Sequence, residues 1–198
     1  MKKVLSTIVF GISLSAIALA SGLFSTKTER TVGPPASTEP VIKLQGVDGR
    51  FYDVADMRGN VVLISFGATW CAPCSSELAA LEELRREYAA KPVKFFWVSI
   101  ESPAQISDGK LKAYAKEHKL TMPVLRDPTR TTFLQFSQRV RLPLIVFFGK
   151  DGRFDEPTHF GMSSEPDIYK ARIRERLDKL LGTARSENRP ESMKIQMR

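Results

Sequence analysis

Cys71 and Cys74 are the only two cysteines in the 198-residue chain, and they stand with two residues between them in Thr69-Trp70-Cys71-Ala72-Pro73-Cys74. Thiols at that spacing can close into a disulfide and open again. An uncharged, branched run, Val61-Val62-Leu63-Ile64-Ser65-Phe66, precedes the pair, and a stretch with helical spacing follows it. A strand that delivers Cys-X-X-Cys to the first turn of a helix is the layout of a thiol redox site. Unpaired N–H groups and the positive end of the helix dipole favour a thiolate at the helix start. Cys71 is therefore the expected attacking sulfur, and Cys74, one turn further in, the one that resolves a mixed disulfide. No cysteine is left over for a structural crosslink.

Other chemistries fit less well. A zinc site needs about four ligands, and beyond the two cysteines the chain offers only His118 and His159, far away in sequence and read as ordinary surface histidines. Covalent haem attachment wants His after the second cysteine, and that residue is Ser75. No cofactor and no metal is expected, so electrons must come from another protein. The formal charge is +8, but Lys and Arg are mixed with Glu and Asp throughout. No aromatic-interleaved basic cluster suggests nucleic acid.

Around this motif the chain divides into four parts. Lys2 and Lys3 precede an uncharged run from Val4 to Phe24, and Ala18-Leu19-Ala20 would serve as a cleavage site, so residues 1–24 read either as a signal peptide or as a retained N-terminal membrane anchor. Both readings place the rest outside the cytoplasm, in the periplasm or on the extracytoplasmic face of the inner membrane. Residues 25–40, with three prolines, read as a linker. Residues 41–182 carry the folded domain, and 183–198 form a polar tail.

Within the domain, Val41–Leu44 and Phe51–Val54 read as a hairpin turning at Asp48-Gly49, followed by the buried strand Val61–Phe66. Leu78, Leu81, Leu84 and Tyr88 give one buried stripe to a helix from Ala72 to Tyr88, with Glu82, Glu83, Arg85, Arg86 and Glu87 on its solvated side. Val93–Ile100 suits a central strand. Asp108 is the expected cap of a second helix through Leu111, Tyr114 and Ala115, and Asp127-Pro128 the start of a third bearing Phe133, Phe136 and Val140. The strand Leu142–Phe148 turns at Lys150-Asp151-Gly152 into a return strand through Phe154 that ends at Gly161. Ser164 and Asp167 have capping-box spacing before a last helix, Pro166 to Leu181, with Tyr169, Ile173, Leu177 and Leu180 as its apolar face and Gly182 as its stop. The order implies an α/β fold, a mixed sheet with helices on both faces.

The succession of strand, Trp-Cys-X-X-Cys and helix, with a proline-led strand at Pro143, resembles the thioredoxin fold. More narrowly, Phe66-Gly67-Ala68-Thr69-Trp70-Cys71-Ala72-Pro73-Cys74 with Glu77 behind it is similar to exported thiol-disulfide oxidoreductases of the TlpA and ResA type. The likeness runs from Val41 to Leu181 and implies a thioredoxin-like central mixed β-sheet flanked by helices, with an N-terminal β-hairpin. It implies that Pro143 is a cis-proline against the disulfide, with the backbone at Leu142 pairing with substrate. X-Pro is the one bond for which cis is cheap. Trp70, Ala72 and Pro73 then form the substrate-facing surface.

Thioredoxins proper carry a buried acid six residues before the first cysteine, and here that position is Ser65. Glu77 is the ResA-like candidate to exchange a proton with Cys74; the other reading makes it a first-turn acid favoured by the helix dipole. Similarity further implies a protein-disulfide reductase acting in cytochrome c maturation, with an apocytochrome c as substrate and a membrane thiol-disulfide protein as electron donor. The alternatives are a thiol peroxidase-like antioxidant enzyme and a non-enzymatic redox or copper-related binding module.

Overall fold

A computed structural model describes residues 39–182. The expected signal or anchor, nearly all of the linker and the polar tail lie outside them. The run Val61–Gly67 forms strand β3 and is buried at all seven positions. A strand so covered on both faces must be flanked by other strands. In chain order the others are β1 (Lys43–Gly46), β2 (Phe51–Asp53), β4 (Val93–Ser99), β5 (Val124–Arg126), β6 (Leu144–Phe148) and β7 (Phe154–Phe160). They make one sheet in the order β2-β1-β5-β4-β3-β6-β7. β3, β4 and β5 run parallel; β6 and β7 add antiparallel on one side, and the β1-β2 hairpin on the other. β2 and β7 are the edges, and β7 carries Pro157 within it.

Side-chain alternation splits the core in two. Val61, Leu63, Phe95, Trp97, Ile145 and Phe147 face one layer with α1 (Ala72–Glu87), α2 (Asp108–Glu117) and α3 (Pro166–Leu181). Val62, Ile64, Phe66, Phe96, Val98, Val146 and Phe148 face the other, which is covered by Val54 and Phe133 from two 3-10 turns, Val54–Met57 and Phe133–Gln135. Helical turns therefore lie on both faces, and the three α-helices share one.

The stripe expected on α1 is the buried one: Leu78, Leu81, Leu84 and Tyr88 are at most 3% exposed. Glu82, placed on the solvated side by spacing, is instead buried. Its carboxylate accepts from Thr121 N, Thr121 Oγ1 and Met122 N, which ties α1 to the chain entering β5. Burial pushes this carboxyl up, but those bonds and Arg85 outweigh it and hold it below the ordinary value. α3 is strapped along α1 by Lys170–Glu83, Arg174–Glu87 and the bond from Tyr88 OH to Asp178.

Three local expectations are corrected. The third helix, from Asp127-Pro128 to Val140, is only the 3-10 turn Phe133–Gln135, and Val140 is exposed. Asp127 accepts from Phe133 N at 2.7 Å and Thr132 N at 3.3 Å, Arg130 adopts a positive φ of 60°, and consecutive Thr131 and Thr132 are poor helix formers. α2 is capped by Ser107, whose hydroxyl accepts from Lys110 N, with Asp108 in the first turn. α3 starts after Glu165 with no side-chain cap, so the Ser164–Asp167 box does not form; Leu180 packs half-buried against the core, and Leu181 is the last buried residue. Gly182, at φ 75°, ends it in the left-handed conformation.

Candidate active site

The C-terminal end of β3 turns through Ala68, Thr69 and Trp70 into α1. Cys71 is the extended residue (φ −91°, ψ 98°) that caps the helix, and Pro73 lies in the first turn, where its missing N–H has no helical partner to lose. Cys74 N donates to Cys71 O at 3.0 Å. The two sulfurs are joined in a disulfide with an S–S distance of 2.07 Å. Cys71 is 6% exposed and Cys74 0%. Around them Trp70, Ala72 and Pro73 are exposed. A foreign sulfur can therefore approach only from the Cys71 side.

The Leu142–Pro143 peptide bond is cis. Leu144 pairs with Phe66 across β6 and β3, so Leu142 and Pro143 arrive at the same end of the sheet as the cysteines. Leu142, half-buried, packs on the apolar cluster that contains Cys71, Cys74 and Phe66. Pro143 O accepts from Gly161 N at 2.9 Å.

Glu77, one turn beyond Cys74, is wholly buried. Ser65 Oγ donates to its Oε2 at 2.5 Å and Tyr169 OH to its Oε1 at 2.8 Å. Desolvation drives its carboxyl up to about 7, and the two hydroxyl bonds only partly oppose this. The residue at the position of the absent acid thus positions the acid that is present. Tyr169 was read as part of an apolar stripe, and its hydrogen-bonding role was missed. The available signal was its type, since a tyrosine in a buried helix stripe needs a partner for its hydroxyl.

A second buried acid was also missed. Glu101, just past β4, accepts from Thr69 N at 2.7 Å, Thr69 Oγ1 at 2.8 Å and Ser99 Oγ at 3.1 Å, anchoring the loop that leads into Cys71. His118, half-buried rather than on the surface, packs at a tilt against Tyr114, while His159 lies edge-on to Tyr169. His159 is half-buried rather than on the surface, and its imidazole is held below the usual value first by burial and then by Arg172 and Arg176. Among the described residues no three His, Cys, Asp or Glu side chains are grouped to hold a metal ion. The chemistry open to this arrangement is disulfide closing and opening, with a nearby carboxyl whose proton is exchangeable near neutrality.

A family model described as AhpC/TSA matches residues 35–156. The chain is 35% identical over 106 residues to the thioredoxin-like protein YneN of Bacillus subtilis, covering 53% of this chain and 61% of that protein. It is 29% identical over 145 residues to the thiol-disulfide oxidoreductase ResA of Geobacillus thermodenitrificans, covering 66% and 79%. Among solved structures, a putative thiol:disulfide interchange protein DsbE from Chlorobium tepidum superposes with a TM-score of 0.62 at 21% identity, over 73% of this chain and 95% of that one. At that identity the superposition speaks for the fold alone.

Proposed function

We propose that this chain, which belongs to the AhpC/TSA family and is a ResA- and DsbE-like thiol-disulfide oxidoreductase, reduces protein disulfides outside the cytoplasm. The observation that carries the proposal is the Cys71–Cys74 disulfide at the head of α1, Cys71 slightly exposed and Cys74 wholly buried one turn before Glu77. In the reduced protein the Cys71 thiolate attacks a substrate disulfide, forming the Cys71–substrate bond and expelling one substrate thiolate. Cys74 gives its proton to Glu77 and attacks Cys71 Sγ; the Cys71–Cys74 bond forms and the mixed disulfide breaks. Substrate leaves as a dithiol with two electrons, and the motif is oxidised. Trp70, Ala72 and Pro73 supply the docking surface, and the backbone at Leu142, ahead of cis-Pro143, pairs with an extended substrate segment.

Ala72 and Pro73 bring no charge or imidazole between the thiols, which favours a reductant over a strong oxidant. The electron donor is a membrane protein with its own thiol pair. Apocytochrome c, whose Cys-X-X-Cys-His segment must be reduced before haem attachment, is the first substrate to test. Peroxide reduction would suit a lone attacking cysteine, whereas both cysteines here share one disulfide. The deciding measurement is the reduction potential of the purified protein in a thiol buffer. It should lie nearer thioredoxin's about −270 mV than DsbA's about −120 mV; a value at the latter end overturns the reductase reading.

A further inference from the structure

Trp97 lies at the middle of the sheet, opposite Ser65 in the β3-β4 register, and is 0% exposed. Its ring stacks on Tyr114 of α2 at 5.4 Å. Its indole Nε1 has no hydrogen-bond partner. An N–H in that position has lost water and gained nothing, which native interiors seldom tolerate. What it faces is informative. A Cβ built on Gly67 would stand 2.6 Å from Trp97 Nε1 and 3.4 Å from Cys74 Sγ, so the indole nitrogen and the buried sulfur border the same small space, and only glycine leaves it open.

We infer that the Trp97 indole N–H is the hydrogen-bond donor for the Cys74 sulfur once the disulfide opens, supporting the thiolate that resolves the mixed disulfide. The inference deepens the reductase reading and rests on it. A disulfide sulfur is a weak acceptor. A thiolate is a strong one, and a bond from N–H to a charged acceptor is about twice as strong as a neutral one. The donor is therefore unused while the sulfur is held in the disulfide and engaged once Cys74 is a thiolate.

The titratable groups on the surrounding elements are Glu77 on the same helix, Tyr169 of α3, Tyr114 of α2 and Glu101 after β4, none of them cationic. The cations on the adjoining segments are engaged, Arg126 by Asp108 and the carbonyls of Glu101 and Ile106, and Arg130 by the carbonyl of Ile100. A neutral donor is thus the available means of favouring a negative sulfur at Cys74. In the resolving step Glu77 takes the Cys74 proton, the indole holds the resulting thiolate, the Cys71–Cys74 bond forms, and the electron pair of the broken Cys71–substrate bond leaves with the substrate sulfur.

The test uses the full-length chain. In a Cys71→Ser background the Cys74 thiolate band is titrated with Trp97 intact, with Trp97→Phe, and with the indole replaced by its sulfur isostere benzothienylalanine, which keeps the ring shape and deletes only the N–H. Loss of the donor should raise the Cys74 midpoint by about one pH unit, a tenfold loss of thiolate at fixed pH below it, and, with Cys71 present, slow mixed-disulfide resolution by about threefold, since the more basic thiolate is the better nucleophile. In the Cys71→Ser protein, raising the pH through the Cys74 midpoint should move the buried indole N–H resonance downfield; Trp70→Phe assigns the other. Equal midpoints with and without the donor, or a buried indole resonance unmoved as Cys74 ionises, overturn the inference, and the resonance decides if Trp97→Phe fails to fold. A pair that never opens in dithiothreitol removes the reductase reading and this inference together, whereas a pair that opens with unchanged midpoints removes the inference alone.

Discussion

A carboxyl group with no access to water and two hydroxyl donors stands one turn from Cys74, and on the proposed mechanism its protonation bears on both stability and rate. In the fold Glu77 keeps its proton up to about pH 7, against a reference value of 4.5. Its folded value is raised, so its favourable contribution is complete below pH 4.5 and is lost progressively as pH climbs to about 7. Denaturant unfolding of the wild type should therefore lose on the order of 2–3 kcal/mol between pH 5 and pH 8 from this group, a loss that Glu77→Gln removes. Parallel pH profiles for the two proteins would show that the carboxyl does not titrate in this range. Glu77→Gln should also strip the near-neutral limb from the pH dependence of mixed-disulfide resolution. At this scale the cysteines were legible because their chemistry is local, two residues apart on one turn. The Ser65–Glu77–Tyr169 cluster was not, because it joins a strand and two helices distant in sequence, and spacing along the chain carries no record of that meeting.

Periodicity revealed the elements whose burial is one-sided or complete. β3 and β4 are apolar runs, while α1 and α3 carry stripes three to four residues apart, and both kinds of pattern survive in the structure. It failed between Asp127 and Val140, where Phe133 and Phe136 are spaced as well for a 3-10 turn as for an α-helix and a buried aspartate takes the backbone N–H groups locally. It also misplaced Glu82, since a charge on a helix reads as solvated unless its tertiary partners are known. Glu82→Ala should cost about 3 kcal/mol by leaving Thr121 N–H and Met122 N–H without an acceptor, measured by denaturant unfolding at neutral pH. Because the folded carboxyl is held below its ordinary value, the part of that difference linked to its charge is present above the usual carboxylate range and is lost as acid carries the pH down through the folded value. A neutral substitution would mean that the α1-β5 tie contributes nothing to stability.

For the molecule as a whole, one end of the sheet gathers the disulfide, the cis Leu142–Pro143 bond, the Thr69–Glu101 anchor and exposed Trp70, and the proposed function makes that end the meeting place with partners. Cys74→Ser should convert a transient encounter into a stable one. Covalent adducts, released by dithiothreitol, should accumulate on Cys71 in the envelope fraction, and Cys71→Ser should abolish them; adducts that persist without Cys71 would relocate the reactive sulfur. The opposite concern is a chain that meets other strands where no exchange is wanted. A seven-stranded sheet has two margins, each a row of backbone groups that another polypeptide could join. Here one margin is the three-residue β2, too short to template much, and the other is β7, where Pro157 withholds an N–H from the middle of the row. Both borders thus discourage uncontrolled polymerisation, leaving sulfur exchange as the association the architecture favours.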